Sequence, residues 1–188
     1  LRVFSLGIIM QLNIPNALTV FRIIAIPLIV FVFFLPAGWA RPVSGCLFIL
    51  AGITDWLDGY LARRLDQTSK FGAFLDPVAD KLIISTALVL LIQSDPQIIF
   101  SVIAVIIIGR EIAVSALREW MAELGERGQV AVTFFGKWKT IVQMIGISLM
   151  LYQEDLFGLP TYRIGTAFMV AAAGLTLWSM IGYLRAAW

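Results

Sequence analysis

Five of the protein's twelve carboxylates fall within 26 consecutive residues, and these are Asp55, Asp58, Asp66, Asp76 and Asp80. Asp55 and Asp58 lie three positions apart, and Asp76 and Asp80 lie four apart, so each pair shares one face of a helix. Apolar runs flank this stretch on both sides. An ionised carboxylate in an apolar helix costs several kcal/mol unless a cation neutralises it. The pattern therefore favours a cation site.

The chain has no histidine and one cysteine, Cys46, which excludes Ser-His-Asp and Cys-His catalysis. A zinc site would lack its usual ligands. Carboxylate oxygens suit Mg²⁺ or Mn²⁺, and a pair of such ions serves phosphoryl transfer by holding the attacking and leaving oxygens. We expect two divalent cations on four of the aspartates, with Asp66 a plain loop residue. These four are Asp55, Asp58, Asp76 and Asp80.

Other interpretations exist for the second pair. Asp76 precedes Pro77, as a helix N-cap does. Asp80 would complement the dipole in the first turn of the same helix. Neither interpretation covers Asp55 and Asp58, which lie at the end of an apolar run.

The composition is that of an integral membrane protein. Hydrophobic residues make up 60% of the 188 positions, and charged residues make up 14%; soluble domains carry about 25% charged residues. The mean hydropathy is +0.92. A soluble domain of this length has too little interior to hide so much apolar side chain. The net charge of +2 gives no sign of a nucleic-acid partner.

Apolar runs of roughly the ~20 residues that cross a bilayer predict an all-α fold with six transmembrane helices. The expected spans are 17–35, 43–64, 76–92, 97–124, 130–153 and 162–185. Lysine and arginine concentrate at one side, which places both termini and the acidic stretch in the cytoplasm. The short second connection predicts that the second and third helices are antiparallel neighbours. We expect one domain over residues 10–188, and upstream sequence at residues 1–9.

Two further sets of residues are ambiguous from spacing alone. Asn16, Thr19 and Arg22 share one helix face, either as an interfacial edge with a snorkelling arginine or as part of a functional site. Gly59 and Ala62 either leave room for a ligand beside the carboxylates or allow close helix packing.

The acidic stretch resembles, at all eight defining positions, the signature of the CDP-alcohol phosphatidyltransferases: Asp55-x2-Asp58-Gly59-x2-Ala62-Arg63-x8-Gly72-x3-Asp76-x3-Asp80. Three more segments resemble the bacterial branch of this family that uses glycerol-3-phosphate, namely 13–22, 110–123 and 136–140.

The resemblance implies a six-helix protein of the bacterial inner membrane, a homodimer, with a polar cavity facing the cytoplasm. It implies transfer of the phosphatidyl group of CDP-diacylglycerol to glycerol-3-phosphate, with release of CMP. Asp80 would be the general base as well as a metal ligand. The CDP group would lie against four residues, Gly59, Ala62, Arg63 and Gly72.

Glycerol-3-phosphate is a dianion and requires cationic partners, for which the candidates are Arg110, Arg118, Lys137 and Lys139. Arg110 is favoured because it follows an apolar run, where an arginine requires a partner, and because its fork suits phosphate. Glu111 would orient it. The two lysines serve equally as positive-inside anchors.

Two rival functions remain at this stage. The signature does not choose between acceptors, so inositol phosphate, serine or phosphatidylglycerol stay open. A cation-coupled transporter would also place carboxylates in the membrane. Transporter sites, however, tend to lie at broken helices near mid-bilayer, often between repeats, and this chain shows neither feature.

Overall fold

A computed structural model describes residues 14–64, 70–123 and 134–186 of the chain. Over these residues the protein is all-α, with no strand beyond one isolated bridge between Leu156 and Leu159. The helices are α1 Ile14–Phe33, α2 Ala40–Arg64, α3 Lys70–Ser94, α4 Ile98–Glu123, α5 Phe134–Tyr152 and α6 Thr161–Ala186. All six predicted helices are therefore present.

Side-chain contacts show that successive helices run in opposite directions. At one end, the first half of α3 meets the second half of α4 through Lys81 and Ser115. At the other end, Tyr162 at the start of α6 donates a hydrogen bond to Asp95 after α3 and packs edge-on against Phe100. We call the first the polar end, where α1, α3 and α5 begin and α2, α4 and α6 end; the second is the far end.

The helix neighbours include one feature that the sequence did not predict. α2 and α3 run antiparallel and are in contact, as expected, but their contact is small, and α1 packs closely against both of them. The physical reason lies on α1, whose buried polar side chains contact aspartates of both helices.

The helix bounds also correct two local predictions. α3 begins at Lys70 rather than at Asp76, so Asp76 lies in the second turn and does not cap the helix. Asp80 and Lys81 are likewise beyond the first turn. α2 begins at Ala40, so Pro42 lies in its first turn, where a missing N–H is tolerated. Residues 1–9, Met10 and Asp66 lie outside the described residues.

Apolar side chains cover the outside of the helix bundle as well as its interior. The buried core includes Phe48, Ile107 and Ile147, while Val105 and Trp178 are exposed over about 70% of their surface. Within the described residues, three helices are long and apolar enough to cross a membrane; the qualifying stretches are Asn16–Phe33, Ile98–Glu123 and Thr161–Ile181. Such a surface suits lipid rather than water, and the chain is a membrane protein.

Candidate active site

The polar face of α1 points into the helix bundle. Asn16, Thr19 and Arg22 are all buried, and Arg22 is only 1% exposed. A snorkelling arginine keeps its guanidinium in water, so the interfacial interpretation of this residue is wrong. The spacing of three residues places Thr19 and Arg22 one above the other along a single stripe. This stripe faces the aspartates of α2 and α3.

Arg22 holds three carboxylates from two helices. Its Nη1 contacts Oδ1 of Asp55 at 2.7 Å and also Oδ1 of Asp80. Its Nη2 contacts Oδ2 of Asp58. The fourth aspartate, Asp76, accepts a hydrogen bond of 2.5 Å from the Thr19 hydroxyl. The four aspartates that the sequence singled out are thus gathered by two residues of α1, and the prediction that they come together is confirmed.

The aspartates differ in accessibility. Asp58 is 4% exposed and is the most buried of the four aspartates. The side chains of Asp55 and Asp80 are 45% and 43% exposed, respectively. Asp55 and Asp80 are therefore partly accessible from outside the helix bundle, whereas Asp58 is not.

The cluster fits a hard cation although Arg22 lies within it. Among the residues that the structure describes, no three acidic, cysteine or histidine residues form a ready metal centre. The reason is geometric, because Asp55, Asp58 and Asp80 surround a guanidinium instead of sharing open space. Their oxygens nevertheless converge on a single cationic group, and all are hard donors of the kind that Mg²⁺ and Mn²⁺ prefer.

A second charged cluster joins α4, α5 and α6 at the same end. Glu111 accepts hydrogen bonds from Arg110 Nη1 at 3.0 Å and from Lys139 Nζ at 2.6 Å, both on its Oε1. Arg110 Nη2 also donates to Ser179 Oγ at 3.4 Å. Both cations are buried, with Lys139 only 1% exposed. We call Arg110, Glu111 and Lys139 the cationic cluster, because its formal charge is +1.

Only part of the predicted acceptor pocket is assembled in the described residues. Arg110 and Lys139 meet on Glu111, as the sequence suggested for the arginine. The burial of Lys139 excludes the simple anchor interpretation, since an anchoring lysine places its ammonium in water. Arg118 is exposed on α4 and lies near enough to Lys139 for the two positive charges to repel. The side chain of Lys137 lies outside the described residues.

A hydrogen bond that the sequence did not reveal joins two of the helices that carry these clusters. Lys81 Nζ donates to Ser115 Oγ at 2.5 Å. Lys81 follows Asp80 on α3, and Ser115 lies one helical turn after Glu111 on α4. This hydrogen bond therefore joins α3, which carries Asp76 and Asp80, to α4, which carries Arg110 and Glu111. The signal available in the sequence was a lysine and a serine next to predicted site residues, which is too common to interpret.

The residues expected near the CDP group lie towards the polar end. Gly59 directly follows Asp58 on α2, and Gly72 is a buried residue one turn before Asp76 on α3. Ala62 and Arg63 continue α2, but their side chains lie outside the described residues. All four positions therefore belong to the stretches of backbone that flank the aspartates.

These features define a helical membrane protein with an aspartate-lined site beside a buried cationic cluster. The profile of the CDP-alcohol phosphatidyltransferase family matches residues 12–178, and the chain belongs to this family of transferases. Enzymes of this family use divalent metal ions. Family membership answers the choice between a transferase and a transporter in favour of the transferase.

Curated relatives resemble the chain over nearly its full length. A protein of Salmonella choleraesuis is 50% identical over 178 residues, which cover 95% of this chain and 96% of the relative. One from Pseudomonas fluorescens is 50% identical, with 94% and 91% covered, and one from Haemophilus influenzae is 48% identical, with 95% of each covered. All three are named CDP-diacylglycerol–glycerol-3-phosphate 3-phosphatidyltransferase.

Proposed function

We propose that this enzyme transfers the phosphatidyl group of CDP-diacylglycerol to glycerol-3-phosphate, giving phosphatidylglycerophosphate and CMP. The observation that carries the proposal is the buried cationic cluster on α4 and α5, since α4 is joined to the aspartate-bearing helix α3 by the hydrogen bond between Lys81 and Ser115. A phosphorylated acceptor needs such positive charge, whereas an acceptor of zero net charge such as serine does not. The relatives' shared name supports the same acceptor.

The aspartate cluster would hold the metal ions of the reaction. We assign two divalent cations, Mg²⁺ or Mn²⁺, to Asp55, Asp58, Asp76 and Asp80. Such ions neutralise a pyrophosphate and stabilise the oxygen of a departing CMP. The CDP group would lie along the flanking backbone, and the set of contacting residues is Gly59, Ala62, Arg63 and Gly72.

Asp80 is the best-placed base. Its carboxylate is partly open, and it lies next to the lysine that connects the aspartates to the cationic cluster. It would take the proton of a glycerol hydroxyl as that oxygen bonds to the lipid phosphorus. The phosphorus–oxygen bond to CMP breaks with its electron pair on CMP. Protonated Asp80 then returns its proton to solvent.

The cationic cluster would bind the phosphate of the acceptor. Arg110 offers a planar fork that matches two phosphate oxygens, and Lys139 adds a second positive charge. Glu111 holds both through one oxygen, so the two donors are already positioned before the substrate arrives. Arg118, Lys137 and the α1 residue Asn16 are further candidates at the same end of the molecule.

The wider arrangement follows the family resemblance. We propose six membrane-spanning helices in the bacterial inner membrane, with a polar cavity open to the cytoplasm, and a homodimeric assembly. The concentration of lysine and arginine at the polar end supports this orientation.

One assay tests the proposed reaction. Purified protein is given CDP-diacylglycerol, Mn²⁺ or Mg²⁺ and one acceptor at a time, and CMP release is followed. We expect release with glycerol-3-phosphate and none with serine, inositol phosphate or phosphatidylglycerol. Release with one of these three instead would overturn the acceptor, and no release with any acceptor would overturn the reaction.

A further inference from the structure

Arg22 is a cation at the centre of the proposed metal site. It is 1% exposed, and its two terminal nitrogens contact Asp55, Asp58 and Asp80. Three carboxylates held close together, one of them buried, are costly without a counter-charge. In the described residues, the guanidinium is the only cation shown in contact with these three side chains. It therefore does electrostatically what a metal ion would do there.

The charges do not balance with Arg22 alone. Four aspartates and one arginine leave a formal charge of −3, and two divalent ions add +4. If the guanidinium kept its contacts, the site would carry +1 and each shared oxygen would serve two cations. Among the described residues, the Nε of Arg22 is buried with no hydrogen-bond partner, so the polar contacts shown for this side chain all run through its two terminal nitrogens. Metal ions that take these three carboxylates would therefore remove every polar contact shown for Arg22.

We propose that Arg22 is an exchangeable counter-cation, which stabilises the aspartate cluster without metal and is displaced when divalent ions bind. This inference rests on the metal site proposed above. The energetic consequence is that metal ions bind in competition with an internal cation, so their apparent affinity is the intrinsic affinity multiplied by the fraction of molecules in which Arg22 has left the cluster.

The test compares the intact full-length protein with Arg22→Gln in detergent micelles, using Mn²⁺ alone as the probe. Free Mn²⁺ is followed by electron paramagnetic resonance, and the melting temperature is measured in EDTA and at saturating Mn²⁺. We expect Arg22→Gln to bind Mn²⁺ about tenfold more tightly, because the competing cation is gone. The variant should melt at lower temperature than the wild type in EDTA but close to it in Mn²⁺.

Two further variants separate the explanations. Arg110→Gln removes another buried arginine, one that pairs with Glu111; it should leave Mn²⁺ affinity unchanged and lower both melting temperatures alike. Arg22→Lys keeps the charge, but its ammonium cannot fork to several carboxylates, so its Mn²⁺ affinity should lie between those of wild type and Arg22→Gln. If Arg22→Gln folds only in the presence of Mn²⁺, the melting temperatures in EDTA and in Mn²⁺ are compared between the wild type and Arg22→Lys instead.

Each outcome has a distinct meaning. Wild-type protein that binds no Mn²⁺ would remove the proposed metal site, and the inference with it. Wild-type binding with unchanged or weaker affinity in both Arg22 variants would overturn the exchange and leave the metal site standing. If Arg22→Gln melts below the wild type by the same amount in EDTA and in Mn²⁺, Arg22 keeps its contacts in both states. That result would also overturn the proposal.

Discussion

A single guanidinium meets three carboxylates that come from two different helices. One turn earlier on α1, the Thr19 hydroxyl meets the fourth carboxylate. At the residue scale, one stripe of hydrogen-bond donors on α1 therefore faces two pairs of aspartates, one pair on α2 and one on α3. Its members have different tasks, because burial separates Asp58 from the more open Asp55 and Asp80.

Asp80 is the residue whose loss should affect chemistry most. Asp80→Asn keeps the shape and one oxygen ligand but removes the base, so we expect turnover to fall by roughly 10²–10⁴-fold. Binding of Mn²⁺ and CDP-diacylglycerol should persist, as measured by titration. Asp95→Asn is the control, since Asp95 lies at the far end and bonds Tyr162. Near-wild-type CMP release by Asp80→Asn would remove this residue as the base.

Arg110 should act on the acceptor rather than on the lipid. Arg110→Ala removes the phosphate fork, and we expect the KM for glycerol-3-phosphate to rise about tenfold or more, with the KM for CDP-diacylglycerol little changed. Steady-state kinetics with each substrate varied in turn measure both. Arg163→Ala, an exposed arginine at the start of α6, should change neither. An unaltered KM for glycerol-3-phosphate in Arg110→Ala would assign this residue a structural role with Glu111 and Ser179.

At the scale of elements, the bundle depends on close helix contacts as well as on the polar cluster. α5 and α6 form the most extensive helix pair, and two glycines face each other across it. A Cβ added at Gly165 would lie 2.9 Å from the backbone oxygen of Gly146 and 2.7 Å from Met150. Small residues let the backbones approach in this way in membrane helices. Since α5 carries Lys139 and α6 carries Ser179, the same contact positions the cationic cluster.

Gly165→Ala should therefore separate α5 from α6. The added methyl group meets backbone atoms that cannot move aside, and we expect a loss of about 1–3 kcal/mol of stability, seen as a lower melting temperature in detergent. Gly174→Ala on the same helix is the matched control, because no atom of the described residues lies within 4 Å of its added Cβ. There the better helix propensity of alanine should leave stability equal or higher. Equal melting temperatures for the two variants would contradict the close contact.

At the scale of the whole molecule, charged side chains are buried and large apolar side chains are exposed, which is the reverse of a water-soluble protein. Buried charged residues such as Arg22, Asp58 and Lys139 gather at the polar end, while large apolar side chains are exposed along the helices. A bilayer favours this arrangement because its hydrocarbon solvates the outside and leaves charged groups to pair within. The polar end is also the side rich in lysine and arginine.

The orientation of the protein in the membrane can be measured by cysteine labelling. With Cys46→Ser as background, Gln97→Cys reports the far end and Glu119→Cys reports the polar end, both at exposed positions. In intact spheroplasts, a membrane-impermeant maleimide should label Gln97→Cys, and it should label Glu119→Cys only after permeabilisation. The reverse pattern would place the active site outside the cytoplasm.

The sequence by itself determined the features that depend on a residue's own helix. Apolar run length predicted six helices, and the spacing of the aspartates placed each pair on one face, because helical period is a local property. The absence of histidine excluded Ser-His-Asp and Cys-His catalysis, and the eight-position motif indicated the family. Predictions were weakest at helix ends, where α3 begins six residues before Asp76, since a polar start resembles a loop.

Only the tertiary structure decided which helices became neighbours. Arg22 and Asp80 are 58 residues apart in the chain, and nothing local distinguishes an arginine that snorkels from one that pairs with buried carboxylates. The same holds for Lys81 and Ser115, and for Lys139 with Glu111. Contacts between helices arise from packing over long separations in sequence, where the cost of burying a charge selects its partner. That selection made α1, and not α3, the main neighbour of α2, and it placed a guanidinium among the aspartates.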